Sequence, residues 1–305
     1  MIAVVLSGAG NRGPLQVGAL RALMEEGIEP DFVVGTSAGA INAAFLGARG
    51  WNLTTLDAMA AVWASVTTQT IYPGSWLQKV WRVASNANSL YSSAGLAGMI
   101  AQGLPPNVVT FGEMPLPVFV TAVDLLSARL FVFGEDSATP IAPALLASAS
   151  VPVIHPPVAM AGLQLVDGGV LANVAASFAM DRGAREIYVL NAGSAGGAGD
   201  TADSLWDVVG TTLSTLLSQA ILRDLDRARA ETTVDLHHIQ LTGFRELSFR
   251  DFSQSAAMLD AGYEIAKTYL GNPAPQIVGP QTPPQHAIGD VVPGGREYYP
   301  PYPVR

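Results

Sequence analysis

Two short strand-like runs near the start of the chain each lead into a turn of small residues and then into a segment with helical spacing. Residues 2–6 (IAVVL) precede the glycine-rich stretch 7–13, and residues 31–34 (DFVV) precede GTSAG at 35–39. A short, wholly apolar strand is typical of a parallel sheet covered on both faces. Repeated strand–turn–helix units build such a sheet. The sequence therefore predicts an α/β fold, a three-layer sandwich with a central, mostly parallel sheet.

The pattern of strands and helices continues to about residue 271. Residues 272–305 contain nine prolines and little apolar periodicity, which predicts an extended Pro-rich tail. Residues 1–271 are therefore expected to form one domain. The further predicted strands are 117–123, 129–133, a strand ending at 166, 186–190 and 234–241, and the further predicted helices lie within 51–104 and at 141–149, 174–182 (with Asn173 as N-cap), 202–229 and 253–270.

Composition excludes several classes of function. Among the 305 residues, 16 are basic and 25 acidic, giving a net charge of −9, and the basic residues are scattered. A nucleic-acid partner is not expected, because binding duplex phosphates requires a basic surface. The absence of cysteine excludes disulfides, thiol nucleophiles and Cys-based zinc sites. No carboxylates and histidines have metal-ligand spacing, so neither a metal nor a cofactor is expected.

Neither the start of the chain nor its most apolar later stretch predicts a membrane segment. MIAVVLSGAG has no basic n-region and is interpreted as the first strand rather than a signal peptide. Residues 141–160 are interrupted by four prolines, which is unfavourable for a membrane span. We therefore expect a cytoplasmic protein.

The spacing Gly8-x-Gly10-x-x-Gly13 after a strand fits a plain tight turn, and it also has two interpretations that involve a ligand or a charge. It fits a dinucleotide-binding turn, which would place an acidic residue at the end of the second strand. Asp31 begins that strand instead, and Gly-Thr-Ser at 35–37 stands where the acid should be. The other interpretation is a loop whose backbone N–H groups face negative charge that develops during a reaction.

Gly35-x-Ser37-x-Gly39 lies between a predicted strand and a predicted helix, the setting of a nucleophile elbow. The helix N-terminus behind Ser37 favours developing negative charge. Ser37 could otherwise serve as an N-cap. Because the carboxyl ends of parallel strands meet at one sheet edge, the loop 8–13 can face Ser37 and supply oxyanion donors.

A serine nucleophile needs a proton acceptor, and Asp167 is the best candidate. It ends an apolar strand and is followed by Gly168 and Gly169, which allow a sharp turn and close approach. The alternative is an ordinary Asp-Gly turn. The histidines that could complete a triad have no convincing loop context; they are His155, His237, His238 and His286.

Three motifs in this order resemble those of the patatin-like phospholipases. They are LSGAGNRG at 6–13, GTSAG at 35–39 and DGG at 167–169, and ASASVP at 147–152 is similar to the small-residue stretch that precedes the aspartate in that family. The resemblance covers about residues 2–190. It implies a patatin-like fold.

The resemblance also implies a function and a site. The expected activity is that of a serine lipid acyl hydrolase or esterase of phospholipase A type, with a lipid or acyl ester as the substrate. Ser37 would attack the ester carbonyl, and Asp167 would accept its proton without a histidine. The implied oxyanion hole consists of Gly8, Ala9, Gly10, Asn11, Arg12 and Gly13.

The chain departs from the family pattern at two places. Ala9 stands where glycine is expected, and in Asn173-Val174-Ala175 no proline follows the asparagine. Alanine adopts positive φ less readily than glycine, so the geometry of the oxyanion hole depends on the conformation of residue 9.

An aspartate base requires a shifted pKa. A free aspartate has a pKa of about 3.9, too low for efficient proton abstraction at neutral pH. Burial raises the pKa of a carboxyl group. The apolar approach in LQLVDGG therefore predicts a partly desolvated Asp167, hydrogen-bonded to Ser37.

Two other functions remain open from the sequence: a non-catalytic lipid-binding or regulatory protein on the same fold, and a nucleotide-binding oxidoreductase. The segment 71–83 interleaves aromatic and basic residues, which suits a lid or a lipid–water boundary. With a net charge of −9, contact with a membrane surface would be transient and mainly apolar. The oligomeric state does not follow from the sequence.

Overall fold

The fold is described from a computed structural model. The structure describes residues 1–73, 88–193, 205–229, 234–244 and 247–273.

In these ranges eight strands form one sheet. They are β1 (Ile2–Leu6), β2 (Phe32–Gly35), β3 (Val118–Asp124), β4 (Arg129–Phe133), β5 (Val158–Met160), β6 (Leu163–Asp167), β7 (Glu186–Asn191) and β8 (Asp235–Gln240). β3, β2, β1, β7 and β8 lie side by side in this order and run parallel. β4 and β6 are antiparallel to β3, and β5 is antiparallel to β6. The prediction of a mostly parallel sheet is confirmed.

Two strands, β2 and β6, pair end to end along the same side of strand β3. Val120 pairs with Gly35 of β2 and also with β4, so β2 and β4 flank β3 on opposite sides. Ala122 pairs with Asp167 of β6 and also with β4, so β6 lies opposite β4 as well. β2 and β6 therefore share one side of β3, and their carboxyl ends point toward each other.

Helices cover both faces of the sheet. They are α1 (Gly13–Glu25), α2 (Ala38–Arg49), α3 (Leu53–Ser65), α4 (Thr68–Ile71), α5 (Ala94–Gly103), α6 (Ile141–Ser148), α7 (Gly169–Ala172), α8 (Ala176–Asp181), α9 (Leu205–Arg229) and α10 (Ser255–Gly271). Along β1, Val4 and Leu6 belong to one core with α1, α2, α3, α5, α6 and α10. Ala3 and Val5 face the other core with α7, α8 and α9. This alternation confirms the three-layer sandwich.

The prediction that Asn173 caps a helix over 174–182 is wrong. Asn173 follows α7 as its C-cap, and α8 begins at Ala176 with Ala175 as N-cap at φ 50°. The backbone carbonyl of Asn173 accepts a hydrogen bond from the N–H of Gly8 (3.0 Å). This hydrogen bond joins residues far apart in sequence at the point where the helix is interrupted. A local sequence pattern does not predict such a bond.

Helices α1 and α10 pack backbone against backbone. A Cβ atom at Gly18 would lie 1.9 Å from the carbonyl oxygen of Leu259, and one at Gly262 would lie 1.9 Å from that of Leu15. Such distances are far below van der Waals contact. The two glycines thus set how closely the last helix approaches the first.

Gly18→Ala is expected to lower the free energy of unfolding by about 2 kcal/mol, because the helices must separate to admit the methyl group. Urea denaturation followed by circular dichroism measures the change. The matched control is Gly98→Ala on the exposed side of α5, where nothing lies within 4 Å of the added Cβ. That variant should gain up to about 1 kcal/mol from helix propensity. Equal effects of the two substitutions would contradict the proposed close packing.

Several expectations concern residues that are not described. The predicted tail begins beyond α10, and residues 274–305 lie outside the described ranges, as do residues 74–83 of the segment 71–83. Those expectations stay predictions. In the described part of the chain, no helix combines the length and apolar character needed to cross a membrane.

Candidate active site

Ser37 sits on a strained turn between β2 and α2. Its backbone has φ 56° and ψ −124°, and only 7% of the residue is exposed. Positive φ is uncommon for a residue other than glycine and marks stored strain. The backbone N–H of Ser37 donates to Ser148 Oγ (2.9 Å), which stabilises the turn. We call this turn between β2 and α2 the elbow.

The glycines beside Ser37 allow the turn to lie against the sheet. A Cβ at Gly39 would lie 2.4 Å from the carbonyl oxygen of Leu6, and one at Gly35 would lie 2.5 Å from Cα of Ala40. Both positions exclude a side chain. The G-x-S-x-G spacing therefore follows from close backbone contact around the serine.

Asp167 ends β6 and is buried, with 3% exposure. Its carboxyl group accepts the N–H of Gly169 at Oδ1 (2.7 Å), and the Ser37 hydroxyl is near enough to act on its pKa. Burial raises the pKa of Asp167 to about 6, although Ser37 and the N–H of Gly169 act to lower it. The burial and the raised pKa that the sequence predicts for Asp167 are both present.

The two glycines after Asp167 also stand where no side chain fits. A Cβ at Gly168 would lie 2.2 Å from Thr121 Oγ1, and one at Gly169 would lie 2.8 Å from Asn173 Oδ1. Thr121 Oγ1 in turn is 2.7 Å from Thr36 Oγ1, beside the elbow. The DGG turn and the elbow are thus held against each other through buried threonines.

The small-residue stretch 147–152 connects the serine and the aspartate. Ser148 accepts the N–H of Ser37 at its hydroxyl, and the carbonyl oxygen of Ser150 accepts the N–H of Asp167 (2.9 Å). One segment therefore fixes the backbone at both residues.

The glycine-rich loop lies directly beside Ser37. A Cβ at Gly8 would be 3.4 Å from Cβ of Ser37 and 2.1 Å from Asn173 Oδ1. The N–H of Gly8 already donates to the carbonyl of Asn173. The lack of a side chain at Gly8 therefore lets the loop lie close to Ser37 and Asn173. The N–H of Gly8 is used to hold the loop to Asn173.

The other backbone N–H groups of the loop differ in their use. Those of Arg12 and Gly13 donate to the carbonyls of Ala9 and Gly10 within the turn. Among the described residues, no acceptor is found for the N–H groups of Ala9, Gly10 and Asn11. Of these three residues, Gly10 lines the pocket beside Ser37.

Ala9 fits its position without strain. Its φ is −135°, which alanine adopts readily, whereas Gly10 has φ 57°. The residue that needs to be glycine here is Gly10. Ala9 therefore does not require the positive φ that glycine adopts readily.

A buried polar network, which the sequence did not predict, supports the loop. Gln16 donates to the carbonyl of Ser7 (2.8 Å), Asn42 donates to Gln16 (3.0 Å), and Trp63 donates to Asn42 (2.9 Å). The indole of Trp63 also fills the space where Gly13 would carry a Cβ, at 2.1 Å. Polar residues on helices usually face solvent, so no sequence pattern indicates this role for Gln16 or Asn42.

Asn11 anchors the loop to the C-terminal part of the chain. Its side-chain amide donates to the carbonyls of Ser248 (3.0 Å) and Asp251 (2.6 Å). The next residue, Phe252, lines the pocket beside Ser37. The site thus includes residues far beyond the three sequence motifs.

A largely apolar pocket opens at Ser37 and encloses about 450 Å³ of space, including its mouth. Its lining consists of Gly10, Ser37, Ala38, Ile41, Trp63, Ile71, Tyr72, Leu96, Met99, Ala149, Val151, His155 and Phe252. Such a pocket suits an acyl chain.

Of the histidines considered as triad members, the structure brings His155 to the pocket. His237 lies on β8, where its ring stacks on Tyr188 at 4.3 Å and faces the hydroxyl of Tyr269 at 3.2 Å. In the described ranges, no cluster of three or more His, Asp or Glu side chains could hold a metal ion.

Comparisons with known proteins agree with these motifs. The chain is 30% identical over 196 residues to patatin-like phospholipase domain-containing protein 7 of Mus musculus, covering 63% of this chain and 14% of that protein. It is 25% identical over 213 residues to lysophospholipase NTE1 of Candida albicans, covering 67% of this chain and 14% of that protein. The chain thus spans about one seventh of the length of these two relatives.

Among solved structures, VipD from Legionella pneumophila is similar with a TM-score of 0.44 and 15% identity, over 88% of this chain and 66% of that one. A family model described as patatin-like phospholipase matches residues 4–180, more than half of the chain. The matched region contains the glycine-rich loop, Ser37 and Asp167. The chain belongs to the patatin-like phospholipase family.

Proposed function

We propose that the chain is a serine lipid acyl hydrolase that cleaves carboxylic esters through Ser37 and Asp167. The observation that carries the proposal is the position of the strained Ser37 beside the buried Asp167, whose pKa the serine hydroxyl acts to lower. The family and the apolar pocket support a lipid ester as the substrate. The relatives' names include a lysophospholipase, which fits the same class.

In the proposed reaction, Asp167 accepts the proton of Ser37 as Oγ attacks the ester carbonyl. The N–H groups of Ala9, Gly10 and Asn11 are the proposed donors to the resulting oxyanion. Asp167 then returns the proton to the leaving alcohol, which leaves an acyl group on Ser37. Water then attacks this acyl-enzyme with Asp167 again as base. The fatty acid leaves, and Asp167 returns the proton to Ser37 Oγ.

The raised pKa of Asp167, about 6, suits this role. At pH 7 Asp167 is ionised in most molecules, yet its carboxylate is more basic than that of a free aspartate. We place the reaction at a lipid surface that the protein contacts transiently, with a cytoplasmic location and without a cofactor.

The test combines a serine-directed fluorophosphonate probe with a panel of lipid esters. Wild-type protein should form a one-to-one adduct at Ser37 and release fatty acid from at least one lipid class. Ser37→Ala should do neither. A folded wild-type protein that neither reacts with the probe nor releases fatty acid would support a non-catalytic lipid-binding protein instead. Thermal stabilisation by NAD in place of labelling would support the nucleotide interpretation.

A further inference from the structure

Three buried polar side-chain atoms in the described part of the chain lack a hydrogen-bond partner, and their residues lie close together. They are Ser93 Oγ, His155 Nδ1 and Arg250 Nε. The ring of His155 stacks on Tyr72 at 5.7 Å, and Tyr72 contacts Tyr91 at 4.9 Å. Cζ of Arg250 lies 5.9 Å from the centre of the Tyr91 ring.

We call Ser93, His155 and Arg250 the polar corner. A buried donor or acceptor without a partner destabilises a fold, so such atoms are rare in proteins. Three of them around one aromatic pair indicate a place where a ligand supplies the missing partners.

His155 is the member of the polar corner that lines the same pocket as Ser37. It is 3% exposed, and burial lowers its pKa, so the imidazole is neutral at pH 7. A neutral imidazole has one N–H donor and one acceptor nitrogen.

The arrangement of His155 identifies which nitrogen is the acceptor. The backbone of Ser92 acts to raise the pKa of the ring, as a carbonyl that faces an imidazole N–H does. Because Nδ1 has no partner, the donor to Ser92 is Nε2. Nδ1 therefore carries the free lone pair.

An acceptor in this pocket needs a donor from the substrate. The ester group offers oxygen acceptors, and an acyl chain offers neither donor nor acceptor. A free hydroxyl on the alcohol part of the ester would donate to Nδ1. Glycerol esters carry one when at least one glycerol oxygen is neither acylated nor phosphorylated.

We propose that His155 determines substrate specificity by accepting a hydrogen bond at Nδ1 from a free hydroxyl of a partial glycerol ester. This rests on the proposed function. The hydroxyl is common to monoacylglycerols and lysophospholipids. The other two members of the polar corner, Ser93 and Arg250, are the proposed partners of a second hydroxyl or a phosphate of such a substrate.

The experiment compares kcat/KM for two pairs of esters. Each pair consists of an ester with a free hydroxyl on its alcohol part and its analogue without one: a 1-monoacylglycerol with the propyl ester of the same fatty acid, and a lysophospholipid with its 2-deoxy analogue. Wild type should prefer the hydroxylated member by at least about tenfold. In His155→Phe, which keeps a ring but loses the acceptor, the ratio should fall to near one.

Two further variants keep the test decisive if His155→Phe folds poorly. His155→Asn places an amide oxygen near the position of Nδ1 and should retain part of the preference. His237→Phe is the matched control, since it alters a histidine that also stacks on a tyrosine but lies outside the pocket lining. Its ratio should equal that of wild type.

The outcomes separate the two proposals. If wild type prefers the hydroxylated member in one pair only, that pair shows whether the recognised hydroxyl belongs to the neutral or to the phosphate-bearing ester. If wild type prefers it in both pairs, the hydroxyl is recognised in either kind of ester. Equal hydrolysis of both members by wild type, or a preference that persists in His155→Phe, overturns the role of His155 and leaves the proposed function intact. Failure of wild type to hydrolyse any of the four esters overturns both.

Discussion

Asp167→Asn is expected to lower kcat/KM for a short-chain chromogenic ester roughly a thousandfold. Asparagine has nearly the same shape, and its side-chain oxygen still accepts the N–H of Gly169. It cannot take the proton of Ser37, so the substitution removes proton transfer while the turn is kept. Initial rates at saturating and limiting ester concentrations measure the loss, which should appear in kcat.

The controls for this prediction are His237→Ala and His238→Ala, which should keep activity within a few-fold of wild type. Activity that survives Asp167→Asn, or disappears with either histidine variant, would indicate a histidine-dependent triad in place of the proposed pair.

The same substitution is expected to stabilise the fold. The pKa of Asp167 is raised from 3.8 to about 6 by burial, so ionising it costs stability. The stability that this group contributes is present below pH 4 and is lost as the pH rises through about 6. At pH 8, Asp167→Asn removes that cost and should raise the free energy of unfolding by up to about 3 kcal/mol. A variant that is inactive and less stable at pH 8 would contradict this.

The second large effect is the dependence of the rate on pH. Because the ionised form of Asp167 is the proposed base, kcat/KM should fall as the pH decreases through about 6. Two pH units below that midpoint, about one molecule in a hundred is ionised, so the rate at pH 4 should be roughly one hundredth of that at pH 8. A pH series with a neutral ester measures the profile, and circular dichroism at each pH confirms that the protein stays folded.

A histidine could produce a similar midpoint, so the profile is repeated with His237→Ala and His155→Asn. The midpoint should not move in either variant. A midpoint near the pKa of a free aspartate, about 4, would show that the carboxyl group is not desolvated during the reaction.

Local patterns predicted most of the fold and the two central residues of the candidate site. A wholly apolar run such as IAVVL predicts a strand that is covered on both faces of the sheet. G-x-S-x-G between a strand and a helix places Ser37 on the turn that joins them. The topology then brings Asp167 to it. These features depend on residues close in sequence, and for this reason a single sequence is enough to predict them.

The supporting contacts depend on residues far apart in sequence, which left no local signal. The side chain of Asn11 reaches the carbonyls of Ser248 and Asp251, and the carbonyl of Asn173 is taken by the N–H of Gly8. His155, dismissed for lack of a loop context, lies in the pocket. Its position follows from the packing of the turn before β5 against Tyr72, which no spacing rule anticipates.

The placement of β2 and β6 on the same side of β3 limits which insertions and deletions the gene can accept. Lengthening β6 by one residue would turn the carboxyl group of Asp167 to the opposite face of the sheet. A shift of two residues would restore the face but move the group by about 7 Å, out of reach of Ser37. Added residues should therefore be tolerated in the turn after β3, around residues 125–128, and should abolish hydrolysis when they fall within β3 or β6.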